Sequence, residues 1–341
     1  MNRQVKIALL GRSGAGKSSL INEFLGKKKA EVGTRTNTTT KAEAYEWNNI
    51  TMVDLPGFDT EAYPRDTFFE DFNLDQYDGF LCVFESKISE SDALIFKQII
   101  KSGKPHIFVR SKWDSARQGK TKKSTLAKHV KADIQQQFKE ELGGQSGKQG
   151  LELHFVTVYP DEGSDSGLGS LQEKLAEILP EKLGDVWVRG VKAHSLSTLK
   201  KKRKSCAVFI NYAAVSAGLG NTIPIPGTGI AADISALSLV FLKIRSAFDL
   251  ADLADANPIK QARYAQIAKQ IVEYGTKEGI KILLKTYGKK QVIKELAKYL
   301  PIVGPIIAGS ISGVIVQKAG NSYLSDCYEL ALADLQEKIV L

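Results

Sequence analysis

Gly11-Arg12-Ser13-Gly14-Ala15-Gly16-Lys17-Ser18 decides the reading of this chain, because it fits G-x-x-x-x-G-K-[ST] at every fixed position. Val5 to Leu10, just before it, read as a short buried strand, and Ser18 to Leu25 read as a helix that stops at Gly26. Strand, glycine loop and helix in that order make a phosphate-binding loop. Glycines at 11, 14 and 16 let the backbone curve tightly enough to aim N–H groups at phosphate oxygens, and the positive end of the helix points the same way. Gly11, Arg12, Ser13, Gly14, Ala15, Gly16, Lys17, Ser18 and Ser19 are therefore the expected nucleotide contacts. Lys17 is expected to reach the β- and γ-phosphates and to serve catalysis, and Ser18 to place its hydroxyl on Mg²⁺.

A basic patch, Lys27-Lys28-Lys29, leads into Val32 to Thr40, a polar loop without apolar periodicity. In a nucleotide switch one threonine of such a loop ligates Mg²⁺ and contacts the γ-phosphate, and Thr38 or Thr39 is the candidate here. Lys41 to Trp47 and Ile50 to Val53 read as strands about a tight turn at Asn48-Asn49. The second of them runs into Asp54-Leu55-Pro56-Gly57. An aspartate there can hold a Mg²⁺-bound water, and Gly57 can offer its N–H to the γ-phosphate. Phe58 follows, where many small GTPases carry a glutamine that orients the attacking water. Hydrolysis is accordingly expected to be slow in an isolated monomer or to depend on a group from a partner chain.

Gly79 to Phe84 reads as a strand covered on both faces, and Ser89 to Gly103 as a helix with Ser89 or Ser91 as N-cap. Pro105 to Arg110 is the next strand, with His106 read as structural. Directly after it stands Ser111-Lys112-Trp113-Asp114, an S/T-K-x-D tetrapeptide where a base-recognition loop belongs. Asp114 can accept from N1–H and the exocyclic amine of guanine, a donor pair that adenine does not present in that arrangement. Lys112 can lay its aliphatic stem along the base. GTP and GDP are the expected ligands. A helix over Ser124–Leu142, a last strand over Leu151–Val158 and a closing helix over Leu168–Leu179, ended by Pro180, complete this half.

The run from Tyr77-Asp78-Gly79-Phe80 through Phe108-Val109-Arg110-Ser111-Lys112-Trp113-Asp114-Ser115, with Asp54-Leu55-Pro56-Gly57 before it, resembles the immunity-related, interferon-inducible GTPases. That resemblance implies a Ras-like G domain followed by a helical domain, assembly on vacuole membranes in the GTP state, and a role against intracellular pathogens. Lys17 is similar to the GKS-type members, not to the regulatory type with methionine there. The chain starts almost at its first strand, so the family's N-terminal helical extension and acylation signal are expected to be missing. Asn2 is not the glycine that N-myristoylation requires.

Lys+Arg and Asp+Glu balance at 26 each in residues 1–184, which leaves 21 basic against 12 acidic groups in residues 185–341. The whole +9 sits in the second half, where it suits acidic lipid headgroups, nucleic acid or an acidic protein; a solubilising surface explains it equally well. Cys82, Cys206 and Cys327 have no metal-type spacing, and no secretory leader is evident, which fits a reduced cytoplasmic setting.

From Asp185 onward only helical periodicity appears, over Val208–Leu219, Ile230–Leu250, Lys260–Tyr274, Gly279–Tyr287, Gln291–Leu300 and Tyr323–Ile339. The basic run Leu199-Lys200-Lys201-Lys202-Arg203-Lys204 suits phosphoinositide binding, a nuclear import signal or a solvated helix face. Ile223 to Ala231 and Leu300 to Ala308 resemble each other, each setting Pro and Gly before a small-residue helix, and are similar to turns in the immunity-related family and in the helical domain of some Era-like modules. Leu300 to Val316 carries no charge, but it is short for a membrane span and broken by Pro and Gly, so a buried helix is favoured.

The expected architecture is an α/β Ras-like P-loop G domain, with a mostly parallel sheet flanked by helices, over residues 1–184, and a basic all-α domain over 185–341. The expected function is a GTP-binding and hydrolysing switch that pairs with itself in the GTP state, its helical domain acting on a membrane or partner and holding the protein peripherally on membranes in the cytoplasm. The alternatives are a non-hydrolysing GTP-gated scaffold and an Era-like GTPase. DNA is not an expected partner, and RNA is the weaker one.

Overall fold

The structure is a computed structural model of the chain, and it describes residues 4–26, 42–58, 68–113, 123–143, 151–160, 165–220, 228–253, 259–288 and 304–336. The chain divides into two compact units, Met1–Ser195 and Leu196–Leu341.

In the first unit, β1 (Val5–Leu10), β2 (Glu43–Trp47), β3 (Ile50–Asp54), β4 (Gly79–Phe84), β5 (His106–Arg110) and β6 (Leu153–Phe155) form one sheet in the order β2-β3-β1-β4-β5-β6. All pairs are parallel except β2 with β3, which turn back through Asn48 and Asn49, both at positive φ. Asparagine tolerates that region, which is why the pair closes a two-residue hairpin. The helices are α1 (Lys17–Leu25), α2 (Phe68–Asp71), α3 (Glu90–Ser102), α4 (Lys123–Leu142), α5 (Leu168–Ile178) and α6 (Glu181–Gly190).

Alternation along β1 splits the core in two. Val5, Ile7 and Leu9 meet α1, α5 and α6 on one face of the sheet. Ala8 and Leu10 meet α3 and α4 on the other. The α3 helix starts where Ser89 and Asp92 cap each other reciprocally and ends at Gly103 in the left-handed region, as local chemistry demands. The strand expected over Leu151–Val158 is shorter, Leu153–Phe155, although Val156 N still donates to Arg110 O at 2.9 Å just past its end.

The division between units falls at Ser195 and not at Gly184. The α6 helix puts Leu183, Trp187 and Val188 into the first core, where Trp187 packs edge-on against Phe24 with ring centroids 5.5 Å apart. The segment after α6 is strapped down as well. Lys192 N donates to Phe24 O at 2.7 Å, and the buried Gln172 amide donates to Lys192 O while accepting from His194 N at 3.1 Å. Helical periodicity alone could not assign α6 to the first unit, since the signal is where its tryptophan packs.

The second unit is helical: α7 (Leu196–Gly220), α8 (Thr228–Ala247), α9 (Ala262–Tyr274), α10 (Lys277–Gly288) and α11 (Gly304–Leu335). The α7 helix starts well before the expected Val208, and α11 well before Tyr323; the segment Gln291–Leu300 lies outside the described residues. Tyr323 of α11 stacks on Phe241 of α8 with centroids 3.8 Å apart and donates to Ile271 O of α9 at 3.2 Å. A Cβ on Gly320 would sit 2.6 Å from Ile210, so α7 and α11 approach closely because that glycine has none. Among the described residues no helix is long and apolar enough to cross a membrane. The basic run does not act as one patch: Leu199 and Lys202 are buried, and Lys202 donates to Ala247 O, while Lys200, Lys201, Arg203 and Lys204 are exposed.

Two stability outcomes follow. Trp187→Ala should cost the first unit about 3–5 kcal/mol by emptying a fully buried indole site, read by urea unfolding. Burial, with Glu329 beside it, raises the Asp326 carboxyl to about 6. Its folded pKa lies above the unfolded one, so any help it gives is complete below the unfolded value and is lost as pH rises through about 6. Asp326→Asn should therefore raise the thermal midpoint at pH 7.5 and lose that advantage as pH falls toward 4.

Candidate nucleotide site

The phosphate loop leaves the carboxyl end of β1, at the point where β3 lies on one side of that strand and β4 on the other. Open parallel sheets bind ligands at such a reversal. Gly16 caps α1 at φ 92°, and Gly14 sits at φ 79°, conformations that glycine adopts without cost. A Cβ on Gly11 would meet Val83 O at 2.1 Å, so the loop lies flat on β4 only because residue 11 has none.

Lys17 is buried at the first turn of α1. Its Nζ donates to Gly11 O at 2.9 Å and Arg12 O at 3.3 Å and stands 4.0 Å from Asp54 Oδ1. Burial lowers its pKa and Asp54 partly restores it. The ammonium is thus held by loop carbonyls with one carboxylate near it, and an anion arriving over the loop would be a far better partner. Ser18 Oγ donates to Asp54 Oδ2 at 2.5 Å, which joins the start of α1 to the end of β3.

Beyond β3 the chain turns back over the loop. A Cβ on Gly57 would come within 2.6 Å of Ser13 N. Only glycine brings the backbone of residue 57 this close to the phosphate loop. Phe58 does not face that site; it is 1% exposed and packs edge-on against Phe68 with centroids 5.8 Å apart. The position read as a missing water-orienting residue is an aromatic anchor beneath Gly57.

The segment after β5, expected to read the base, is fastened to the phosphate loop by a residue whose role the sequence reading did not single out. Ser111 Oγ lies 2.5 Å from Ala15 O and 3.2 Å from Phe84 O, and its own N–H donates to Phe84 O at 2.9 Å. Its place in the tetrapeptide was the available signal. Lys112 follows at φ 49° and pairs with Glu85. Trp113 N donates to Val156 O at 3.0 Å, which brings the segment after β6 alongside. Between them opens a pocket of about 180 Å³ lined by Gly16, Ser19, Leu20, Lys112, Val156 and Tyr159, among others. Its apolar walls and single ammonium suit a flat aromatic base. Val156 and Val158 were not predicted as site residues, because a wall needs only apolar bulk and carries no motif; Tyr159 opens the Tyr159-Pro160-Asp161 stretch that the sequence sets beside the base without a clear motif. Thr38, Thr39 and Asp114 lie outside the described residues.

A model of the interferon-inducible GTPase (IIGP) family matches residues 1–294 of this chain. The chain belongs to that family. Among its relatives is T-cell-specific guanine nucleotide triphosphate-binding protein 2 of Mus musculus, 25% identical over 97% of this chain and 81% of that protein. Interferon-inducible GTPase 5 of Rattus norvegicus is 22% identical over 98% of this chain and 76% of its own length. This family member is a GTPase.

Ser111→Ala checks the link between the loops. Removing the hydroxyl leaves the Ala15 carbonyl without that donor, and it should cost about 1–2 kcal/mol of stability and weaken GTP binding roughly tenfold, read by denaturation and by titration with a fluorescent GTP analogue.

Proposed function

We propose that this chain is a GTP-gated switch whose first unit pairs with a second copy in the GTP state, and whose helical unit carries that state to a membrane surface in intracellular defence. The observation that carries the pairing is the burial of Phe58. With that side chain in the core, position 58 brings no polar group to the γ-phosphate, and a group from a partner chain is the economical source of catalytic help. The overall charge of the second half supports an anionic membrane as its target, with the protein held peripherally in the cytoplasm.

In this reading Lys17 exchanges the Gly11 and Arg12 carbonyls for β- and γ-phosphate oxygens. Gly57 N–H, held close to Ser13, meets the γ-phosphate and releases when that phosphate leaves. The Ser18 hydroxyl and the Asp54 carboxylate, already in contact, are hard oxygen donors that suit Mg²⁺, Asp54 through a water, with Thr38 or Thr39 as the further ligand. When bound, the ion neutralises charge on the β- and γ-oxygens. Asp114 reads guanine, Lys112 covers it, and the attacking water stays with a group not yet assigned.

Phosphate release measured over a protein concentration series tests the pairing. Specific activity should rise with concentration, together with a larger species in a non-hydrolysable GTP analogue than in GDP; a flat specific activity overturns activation by a partner copy. Asp114→Asn should lower GTP affinity by at least about tenfold and erode the preference for GTP over ATP. An unchanged preference would show that the base is read elsewhere.

A further inference from the structure

The α7 helix carries two stripes. Leu199, Lys202, Cys206, Ile210, Ala213 and Ala217 recur at three- and four-residue steps and are buried. Two residues along, Lys201, Lys204, Val208, Tyr212 and Val215 repeat the same spacing and are exposed. An offset of two residues turns roughly 200° around a helix, so the second stripe lies opposite the first. A solvated face would carry polar residues throughout. Here Val208, Tyr212 and Val215 are 50%, 74% and 60% exposed.

The neighbouring helix repeats the pattern. In α8, Leu237, Phe241 and Ile244 are buried while Leu239 and Leu242 are 63% and 57% exposed. The two helices run antiparallel side by side, for Lys202 reaches Ala247 while Lys243 lies over the Phe209 ring at 5.1 Å. Both turn their buried stripes to α11, through Ile210 against Gly320 and Phe241 on Tyr323. Their exposed stripes consequently look out on the same side, away from α11.

Scattered surface leucines need no explanation, but five large apolar groups together on one two-helix face do. We infer that this α7–α8 face is a docking surface for an anionic lipid bilayer, which rests on the membrane reading above and assigns it to particular residues. Charge selects this occupant. Lys201 and Lys204 continue the apolar stripe toward the start of α7, and Lys243 stands exposed between the helices. A second copy of the same face would set these ammonium groups in a common interface, whereas phosphate-bearing headgroups neutralise them and let the aliphatic stems follow the apolar side chains. Tyr212, with an apolar ring and polar tip, suits the boundary between acyl chain and headgroup. Contact of this kind is reversible and needs no spanning helix.

Flotation of the full chain with phosphatidylcholine vesicles, with and without phosphatidylserine, tests this in GDP and in a non-hydrolysable GTP analogue. Binding should require phosphatidylserine and fall as salt rises. Tyr212→Glu with Leu239→Glu should weaken it at least about a hundredfold, and Lys201→Gln with Lys204→Gln roughly twentyfold, while GTP affinity and thermal midpoint hold. As a check free of charge insertion, Leu239→Cys offers the label an exposed thiol, since Cys82, Cys206 and Cys327 are all buried. A polarity-sensitive dye there should shift to the blue on anionic vesicles, and the same dye at Ala132→Cys on α4 should not. Wild-type flotation that the variants leave unchanged, with no shift at residue 239, overturns the assignment and leaves the membrane reading standing. Failure of the wild-type chain to float in either nucleotide overturns both. A concentration-dependent dimer abolished by Tyr212→Glu and Leu239→Glu, without flotation, gives the face to a second copy instead.

Discussion

The parallel pairing of β1 with β3, which sets Leu9 opposite Asp54, is the constraint on which the nucleotide site depends. It delivers the Asp54 carboxylate to the first turn of α1, where Ser18 donates to it and Lys17 stands 4.0 Å away. Slipping the register by one residue would turn Asp54 to the other face of the sheet and bring an apolar neighbour in its place. The same strand end launches Leu55 to Gly57, whose N-terminal bond, Leu55 N to Leu9 O at 3.2 Å, extends the ladder past the last paired residue. Gly57 then meets Ser13 because the chain has been aimed there. One strand pairing therefore fixes the distances among the loop, the Asp54 carboxylate and Gly57.

What was legible in the sequence was chemistry contained within a few consecutive residues. The phosphate loop, the Asn48-Asn49 hairpin, the Ser89 cap and the Gly26 and Gly103 stops each have a local cause, and the elements they delimit fall within a residue or two of expectation. The less legible features have partners far along the chain. Ser111 acts on Ala15, Trp187 packs on Phe24, and Gln172 clamps Lys192 and His194. The boundary at Gly184 was misplaced for this reason: a helix is equally helical in either unit, and only the burial of Trp187 says which core it completes. Phe58 is the same case in reverse, where an apolar residue at a motif position was read for the function it lacks and not for the core it fills.

The basic run of α7 shows how composition can mislead. Counted as a cluster, residues 199–204 suggest a uniform positive surface, yet helical geometry separates Lys202 from its neighbours and buries it against Ala247 O. Burial lowers its pKa, with Asp249 and Cys206 acting the other way. A buried ammonium is costly unless hydrogen-bonded, so Lys202 belongs to the architecture of the second unit and contributes little to any surface field. Of the exposed cations of the run, Lys201 and Lys204 lie on the opposite stripe, alongside apolar groups.

The aromatic cluster under Gly57 bears on where catalytic help can come from. Phe58 packs on Phe68, which in turn contacts Phe69 and Phe72. Withdrawing Phe58 to face the γ-phosphate would expose an aromatic side chain at a cost of about 2–3 kcal/mol and leave a void against Phe68, for no polar group gained. An alternative that leaves this core intact costs less: the backbone of Gly57 moves, as glycine allows, while the residue after it stays anchored. Glycine at 57 keeps a backbone freedom that the anchored Phe58 lacks, and position 58 turns no polar group toward the phosphate loop.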